Sequence, residues 1–506
     1  MTNRRVVSRV LTACLFLFIG AQPFCSTVRA QPDEVLTVSG NAVDRILPDR
    51  LPDRYWLLEY ERGLVLLSRT NGEWDTAEYA IGDLRDVAGP DSQGRLYCTY
   101  VGSPPGIHIF DCATASVVDT IPLNYYPRGL VLSADESKLY VCAWGWPPLT
   151  EPEFDPNRSY QHASADSGLV LEIDIASHSI LRTATVGGMP ETICLMPSSA
   201  GARLLVSTGE FKYRSQRDRE PIDPDLVYGG FTPVDAVDVG TFVRLEHRVE
   251  CTFPGFPCTN ALIPWPGDDA LVALCCARPF SGSPDYAPAD YTHGIRLIDP
   301  VTNLVVGSLR IVNAGGREVG VNTIFQSRSD PTEIFVTVGM FRHETELEQE
   351  AVLAIDRDTG QFRRSIDLGS PDYLPSFVYE TPCGDLIVTA WQAPNGKILI
   401  FEPENRYPEC CLEVVTPMPY HGPAPALIEF DATGSYDPDP CDELTYEWDF
   451  DGDGLYGEAV DDSYTGDPDN PTHSYTASYH GPVMLRLSDN HGSAMTCTVY
   501  IDVDIM

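Results

Sequence analysis

The stretch that decides the fold runs from Ile107 to Trp146 and begins IHIFDCATASVVDTIPL at residues 107–123. Its first apolar run ends at Asp111, a turn passes through Thr114, and a second β-rich run follows. After a Tyr-Tyr-Pro corner comes RGLVLSADESKLYVCAWGW at residues 128–146, where a polar turn separates two further β-rich runs. Short apolar runs bounded by turn residues are typical of β-strands. The stretch therefore predicts four strands in about 40 residues.

Most of the chain before residue 409 repeats this unit, as two landmarks show. The first is a strand that ends in an acidic or polar residue, at Ser68, Asp111, Asp174, Glu246, Asp299, Asp356 and Glu402. The second is an apolar strand after a polar turn, and it begins at Trp56, Leu96, Leu139, Leu204, Leu271, Ile334 and Leu386. Seven copies of a four-stranded unit predict a seven-bladed β-propeller. We expect residues 35–38 to complete the truncated last unit and close the ring.

Three motifs in this region indicate a family. They are Leu139-Tyr140-Val141 and the Ile-Asp-x-x-Thr turns at residues 298–302 and 355–359. In these features residues 34–405 resemble the YVTN family of extracellular seven-bladed propellers. The resemblance implies the fold, whereas propellers of this kind serve many functions.

The composition changes after RYPECCLEVV at residues 406–415, and residues 412–506 contain a single basic residue, Arg486. Trp448-Asp449-Phe450, then Pro471, His473 and Tyr475, then Asp489-x-x-Gly492 resemble a PKD domain, an immunoglobulin-like β-sandwich. The alternating apolar residues at 483, 485 and 487 are typical of a half-buried strand. We therefore expect an all-β chain with a seven-bladed propeller at 31–405, a linker at 406–411 and a PKD-like sandwich at 412–506.

The first thirty residues are typical of an export signal. Arg4, Arg5 and Arg9 precede an apolar run at residues 10–21, and Val28-Arg29-Ala30 is a small-residue cleavage site. No later run reaches the length of a membrane-spanning helix. We expect cleavage after Ala30, no membrane span, and a secreted, periplasmic or cell-surface protein.

The net charge of −39 argues against binding to nucleic acid or to an anionic membrane surface, because both need basic patches. The charge suits a soluble extracellular protein that it keeps monodisperse, and it also suits the attraction of divalent cations. Of 15 cysteines, two precede residue 31, so an odd number remains and at least one is unpaired within the chain. Cys251 and Cys258 are a candidate disulfide pair that would close a short loop, whereas Cys98, Cys142 and Cys194 lie at strand positions that suit buried thiols equally well.

A metal site is predicted in the C-terminal domain. Asp449, Asp451, Asp453 and Gly454 have the spacing of the first half of a calcium loop. Val460 stands where such a loop needs a glutamate, so we expect help from Glu458, Asp461 or Asp462 in binding Ca²⁺. Alternatively, Asp449 belongs to the turn network of the sandwich and the other carboxylates are solvated. Asp437 and Asp439 form a second candidate pair.

Two regions of the propeller are candidate binding surfaces. The channel mouth is reached by polar residues that begin the innermost strands, namely Arg128, Glu191, Asn260, Asn322 and Ser376. Polar residues at these positions also suit a water-filled channel in which they have no binding function. Insertions at 144–167, 209–236 and 277–292 follow equivalent strands and should emerge on one face. Its candidate residues are Trp144, Trp146, Phe211, Tyr213, Phe280, Arg342, His343 and Trp391. Exposed aromatic side chains bind sugars or anchor protein partners, but these loops also suit packing on one another.

The sequence contains neither G-x-S-x-G nor H-E-x-x-H, and we assign no catalytic residue. We expect an exported, non-enzymatic binding protein. Its propeller is the platform for an extracellular protein or polysaccharide, and its sandwich serves surface or matrix attachment. The alternative is a lactonase-like propeller hydrolase with a divalent ion at the channel mouth.

Overall fold

A computed structural model describes most of the chain from residue 32 onward. The described residues are 32–39, 43–59, 62–70, 72–144, 168–187, 190–197, 201–208, 210–211, 230–231, 234–245, 252–253, 262–265, 271–276, 294–311, 321–338, 351–370, 372–392, 395–403, 405–439, 441–459, 461 and 463–506. The predicted export signal and the pair Cys251 and Cys258 lie outside these ranges. Within them, every regular element is a β-strand, and there is no helix long and apolar enough to cross a membrane.

The strands up to residue 244 are β1 (Glu34–Val38), β2 (Val43–Pro48), β3 (Arg54–Glu59), β4 (Gly63–Thr70), β5 (Glu73–Ala80), β6 (Leu84–Ala88), β7 (Arg95–Tyr100), β8 (Gly106–Asp111), β9 (Ser116–Pro122), β10 (Tyr126–Leu132), β11 (Lys138–Trp144), β12 (Gly168–Asp174), β13 (Ser179–Val186), β14 (Pro190–Met196), β15 (Arg203–Thr208), β16 (Glu210–Phe211), β17 (Gly230–Phe231), β18 (Val234–Asp238) and β19 (Val243–Arg244).

Those up to residue 401 are β20 (Thr252–Phe253), β21 (Leu262–Pro264), β22 (Val272–Cys276), β23 (Gly294–Asp299), β24 (Leu304–Leu309), β25 (Val321–Gln326), β26 (Glu333–Val338), β27 (Ala351–Asp356), β28 (Phe362–Ile366), β29 (Leu374–Glu380), β30 (Leu386–Gln392) and β31 (Asn395–Phe401). The C-terminal strands are β32 (Glu413–Val414), β33 (Tyr420–Gly422), β34 (Ala426–Asp431), β35 (Thr445–Asp449), β36 (Tyr464–Asp467), β37 (Asn470–Tyr475), β38 (Tyr479–Ser488) and β39 (Ala494–Ile505).

Between residues 34 and 401 the described strands form seven four-stranded sheets. In chain order, sheets 1 to 7 consist of β2–β5, β6–β9, β10–β13, β14-β15-β18-β19, β21–β24, β25–β28 and β29-β30-β31-β1. The insertion at 209–236 also contributes two strands to a three-stranded sheet, β16-β17-β20. Four-stranded antiparallel sheets of this kind are blade-like and consistent with a β-propeller.

Sheet 7 is assembled from both ends of this region. Strand β1 pairs antiparallel with β31, with Glu34 opposite Ile400 and Val38 opposite Gly396. This pairing confirms the expectation that residues 35–38 complete the last unit. It also covers a sheet edge that would otherwise be open to pairing with another chain.

The acidic residue at the end of the third strand closes a recurrent turn in sheets 2 to 6. Its carboxylate accepts a hydrogen bond of 2.6–2.9 Å from the hydroxyl of a Thr or Ser three residues later. The next residue has a positive φ of 50–68°. The five acidic residues are Asp111, Asp174, Asp238, Asp299 and Asp356. In sheet 4 the third strand, β18, ends at Asp238, whereas the predicted Glu246 lies outside the described residues.

Hydrophobic clusters lie between consecutive sheets. One cluster is shared by sheets 1 and 2, another by sheets 2 and 3, and so on up to sheets 6 and 7. A seventh cluster joins sheet 7 to sheet 1 through residues such as Tyr379, Ile398, Tyr55 and Leu57. Cys98, Cys142 and Cys194 are buried and unpaired, so of the two alternatives that the sequence left open they are buried thiols.

The C-terminal strands form two further four-stranded sheets, β32-β34-β37-β36 and β33-β39-β38-β35. Their shared core contains Phe430, Trp448 and Phe450, and the rings of Trp448 and Phe450 stack with centroids 5.2 Å apart. Trp448 Nε1 donates a hydrogen bond to the carbonyl of Pro468 at 2.8 Å. The buried indole therefore has its polar atom satisfied, as a core tryptophan requires.

Two disulfides fix the region around the predicted linker. Cys410, within 406–411, is bonded to Cys497 on β39. Cys383, in the turn between β29 and β30, is bonded to Cys441 and connects sheet 7 to the C-terminal domain. The backbones of Glu409 and Tyr436 also exchange two hydrogen bonds, at 2.8 and 3.0 Å. Residues 409–411 are thus attached to the C-terminal domain.

Candidate functional sites

The first strands of six sheets share an irregularity in register near their start. The shifts lie at Val43/Arg45, Leu84/Asp86, Pro127/Leu130, Pro190/Thr192, Val321/Thr323 and Pro375/Phe377. Four residues predicted for the channel mouth, Arg128, Glu191, Asn322 and Ser376, are residues that these irregularities bypass. A bulge leaves the extra residue out of the ladder and redirects its side chain, and it is common beside functional sites.

Two of these residues come together with an aromatic residue of the predicted binding face. The guanidinium of Arg128 lies over the Trp144 ring, 3.9 Å from the ring centroid. Arg128 Nε is 3.8 Å from Glu191 Oε2 and makes no hydrogen bond. The sequence placed these residues in two separate surfaces, whereas the structure brings them into one, here called the mouth site (Arg128, Trp144 and Glu191).

Burial raises the pKa of Glu191, and the neighbouring guanidinium groups of Arg128 and Arg85 only partly oppose this shift. The carboxyl group therefore takes up a proton more readily than an exposed glutamate does. In its neutral form it is both a donor and an acceptor of hydrogen bonds.

The backbone beneath the mouth site is held by buried contacts. Asp86 accepts a hydrogen bond from the Leu130 N–H at 2.9 Å and forms an ion pair with Arg45 at 3.0 Å. Strands β10 and β14 approach so closely that a Cβ on Gly129 would lie 2.8 Å from the Glu191 carbonyl oxygen. Only glycine fits there, and this contact fixes the positions of Arg128 and Glu191.

Sequence reasoning missed Arg45, Arg85 and Asp86. The available signal was repeat position, since Leu84-Arg85-Asp86 stands where Pro127-Arg128-Gly129 stands in the next unit. Of the other predicted residues, Trp391 is exposed on β30, and the Ser376 carbonyl lies 3.4 Å from Thr337 Oγ1. The side chains of Asn322 and Phe211 lie outside the described part of the chain, as do residues Trp146, Tyr213, Asn260, Phe280, Arg342 and His343.

The predicted calcium loop is present as a compact acidic group. One oxygen from each of Asp449, Asp451 and Asp453 lies within 4.8 Å of the others. Asp449 is fully buried, and its two oxygens accept hydrogen bonds from the N–H groups of Gly452 at 2.6 Å and Gly454 at 2.8 Å. The alternative assignment of Asp449 to the turn network therefore describes its contacts well.

A fourth carboxylate reaches this group from the 455–469 insertion. Asp461 is 2% exposed, and its Oδ1 accepts a hydrogen bond from the Phe450 N–H at 2.9 Å. Its Oδ2 is buried without a hydrogen-bond partner. Burial, followed by the charges of Asp449 and Asp451, raises the pKa of Asp461. We call these four aspartates the loop site.

The second candidate pair belongs to a larger acidic group. Oxygens of Asp437, Asp439 and Asp442 lie within 4.8 Å of one another, and the Asp442 side chain is only 4% exposed. The Oδ2 atoms of Asp437, Asp442 and Asp489 are all buried without a hydrogen-bond partner. Burial raises the pKa of Asp442, and the charges of Asp437 and Asp489 add to the shift. These four aspartates are the turn site.

The turn site faces the rest of the molecule. A cavity of about 690 Å³ lies where the C-terminal domain meets sheets 1 and 7. Asp439, Asp442 and His491 line one side, and the other side includes Arg69, Asp385 and Glu402. Asp442 Oδ1 is 2.7 Å from His491 Nδ1, and Asp439 Oδ1 accepts a hydrogen bond from Arg406 Nε. Within the described residues, the groups with metal-binding spacing all lie in the C-terminal domain.

No protein-family model matches the chain, and no curated protein is significantly similar to it. Among solved structures it is similar to Kuenenia stuttgartiensis hydrazine synthase, with 12% sequence identity and a TM-score of 0.46. The match covers 73% of this chain and 97% of that chain. A similarity of this size identifies no function. In its described residues the chain is all-β, with blade-like four-stranded sheets followed by two sheets that share a core.

Proposed function

We propose that the protein is an exported, non-enzymatic binding protein with a seven-bladed, YVTN-type propeller and a PKD-like sandwich. The cyclic series of hydrophobic clusters supports the propeller, since sheets 1 to 7 share one cluster at each successive interface and sheet 7 returns to sheet 1. The order of Trp448, His473 and Tyr475 on the sandwich strands supports the PKD-like assignment. The sandwich serves surface or matrix attachment.

The mouth site is the proposed ligand site of the propeller. The observation that carries this proposal is the convergence of Arg128, Trp144 and Glu191 at register shifts in β10 and β14. An indole ring stacks on apolar faces of sugars, a guanidinium group donates several hydrogen bonds, and a glutamate both accepts and donates. This combination suits a polyhydroxylated ligand such as an extracellular polysaccharide, or a polar segment of a partner protein.

The C-terminal domain is the proposed calcium-binding part. Ca²⁺ takes six to eight oxygen ligands, largely carboxylates and carbonyls. Both the turn site and the loop site contain nearly buried carboxylates with unpartnered oxygens, namely those of Asp442 and Asp461. Burying a charge without a partner is costly, so a bound cation would relieve this cost while ordering the turns.

An array of neutral and acidic oligosaccharides tests the ligand proposal with the full chain. We expect selective binding that Arg128→Ala and Trp144→Ala each abolish. Arg357→Ala is a suitable control, since Arg357 lies on a surface turn and contacts the exposed Asp358 at 2.9 Å. Binding that survives both mouth-site substitutions would place the ligand elsewhere. If no oligosaccharide on the array binds, the polysaccharide proposal is rejected and a protein ligand remains. Photo-crosslinking from position 144 then tests for that protein.

A further inference from the structure

Four side chains of the types that bind metal ions lie on the exposed face of the sheet β33-β39-β38-β35. The register places His480 on β38 opposite Asp502 on β39, and His421 on β33 opposite Asp504 on β39. Asp502 and Asp504 are two residues apart on one strand, so they point to the same face. Val503 between them is fully buried, which identifies this face as the outer one.

The side chains already converge. His480 Nδ1 forms a short contact with Asp502 Oδ1, and its Nε2 lies 3.4 Å from Asp504 Oδ1. One ligand atom from each of His480, Asp502 and Asp504 lies within 4.8 Å of the others. On the opposite side, Asp504 Oδ2 lies 3.1 Å from His421 Nδ1. All four side chains are 47–56% exposed, so an ion can reach them from solvent.

The donor set is two imidazoles and two carboxylates. Zinc is bound by histidine nitrogen and aspartate oxygen in four-coordinate, tetrahedral sites. Imidazole suits zinc, copper and nickel, whereas calcium and magnesium prefer oxygen alone. The chemistry here therefore differs from that of the turn and loop sites, which offer carboxylates.

We propose that His480, Asp502 and Asp504, with His421 as the fourth ligand, form a surface site for a divalent transition-metal ion of the zinc type. The rigid strands set the spacing, and the ion replaces the contacts that now join the histidines to the aspartates. It also links β33, a three-residue strand, to the long hairpin β38–β39. This site shares no residue with the proposed calcium sites, so the two proposals stand or fall separately.

The test measures Zn²⁺ binding to the full chain, produced without a polyhistidine tag. Millimolar Ca²⁺ is present throughout to keep the carboxylate sites filled. Isothermal titration calorimetry should show a zinc site in the unaltered protein that is lost in His480→Gln and weakened in His421→Gln. Co²⁺ in place of zinc should give the visible absorption of a tetrahedral site, and this absorption should disappear in His480→Gln.

His178→Gln is the matched control, because His178 is a partly exposed histidine that lies 3.7 Å from a single carboxylate, Asp119. It should bind zinc like the unaltered protein. The chain has ten histidines, so background binding is expected and the comparison between variants decides. Equal zinc binding in the unaltered protein, His480→Gln and the double variant Asp502→Asn/Asp504→Asn would overturn the proposal.

Discussion

The loop site and the turn site have similar acidic composition but differ in how many buried carboxylate oxygens lack a hydrogen-bond partner. In the loop site, both oxygens of the buried Asp449 accept backbone N–H groups, and one oxygen of Asp461 is left without a partner. In the turn site, three different aspartates each keep a buried oxygen without a partner. The loop site thus leaves one buried carboxylate oxygen without a partner and the turn site leaves three, although the other oxygen of each of these aspartates accepts a hydrogen bond. Alternating aspartates in a sequence do not distinguish the two situations.

The largest effect should come from Asp449→Ala. The substitution removes the acceptor for two backbone N–H groups in a fully buried position. Hydrogen bonds to a charged group contribute about 1.5–3 kcal/mol each, so unfolding of the C-terminal domain should become about 3 kcal/mol easier. Calorimetry of the full chain in chelator measures this loss. Asp453→Ala, which removes one contact to the Leu455 N–H at an exposed residue, should have little effect. Equal losses of unfolding free energy in Asp449→Ala and Asp453→Ala would contradict a structural role for Asp449.

Calcium should stabilise the domain mainly through the turn site. At a hundredfold excess over its dissociation constant, a ligand of the folded state adds about 2.7 kcal/mol, which corresponds to several degrees in Tm for a domain of this size. Asp442→Asn and Asp489→Asn should each remove most of this increase, and Asp451→Asn should remove less. Asp467→Asn, at an exposed position on β36, is the control. If Asp451→Asn removes the calcium-dependent increase in stability and the two turn-site variants do not, calcium binds at the loop site and not at the turn site.

The pH dependence of stability should change sign with calcium. Without the ion, burial raises the pKa of Asp442 and Asp461 above their unfolded values. Their contribution to stability is then fully present below the unfolded pKa and is lost as the pH rises through the folded pKa. A bound cation favours the charged carboxylates and lowers these pKa values, so the contribution is lost as the pH falls. Unfolding measured from about pH 4 to about pH 7, with calcium and with chelator, should give opposite slopes over part of this range. Parallel curves of stability against pH with calcium and with chelator would exclude calcium binding at both sites.

The smallest effect should come from Arg406→Ala. The Arg406 Nε and backbone N–H each donate to an oxygen of Asp439 at 2.7 Å, and the arginine side chain is mostly exposed. Asp439 is nearly buried, but its Oδ2 keeps the hydrogen bond from the Arg406 backbone N–H in the variant, so the loss of stability should be small, about 1 kcal/mol. Removing the positive charge beside the turn site should modestly increase its calcium affinity in a titration. Arg486→Ala, whose partner is Glu447, is the control and should leave the affinity unchanged. A decrease in affinity would mean that Arg406 orders Asp439 for binding.

The repeat pattern of the fold was readable from the sequence, because each unit carries its own local signals. The Asp-x-x-Thr turn after β27 is one such signal, since Asp356 and Thr359 are three residues apart and need only each other. Sites built from distant segments were not readable. His421 on β33 and His480 on β38 reach Asp504 from the two strands that flank β39, and no local pattern reports that register. Likewise, the use of both Asp449 oxygens by backbone N–H groups depends on the positive φ of Gly452 and Gly454.

The pairing of β1 with β31 sets the order of events during synthesis. Strand β1 is translated long before its partner strand, since Thr37 contacts Lys397, which is 360 residues later in the chain. Until residues 395–401 have been translated, sheet 7 lacks β31 and β1 has no partner strand. Completion of sheet 7 is therefore a late step that follows the translation of all the other sheets of this region. A nascent chain that stops before residue 395 keeps an open strand edge, the kind of surface that quality-control factors recognise.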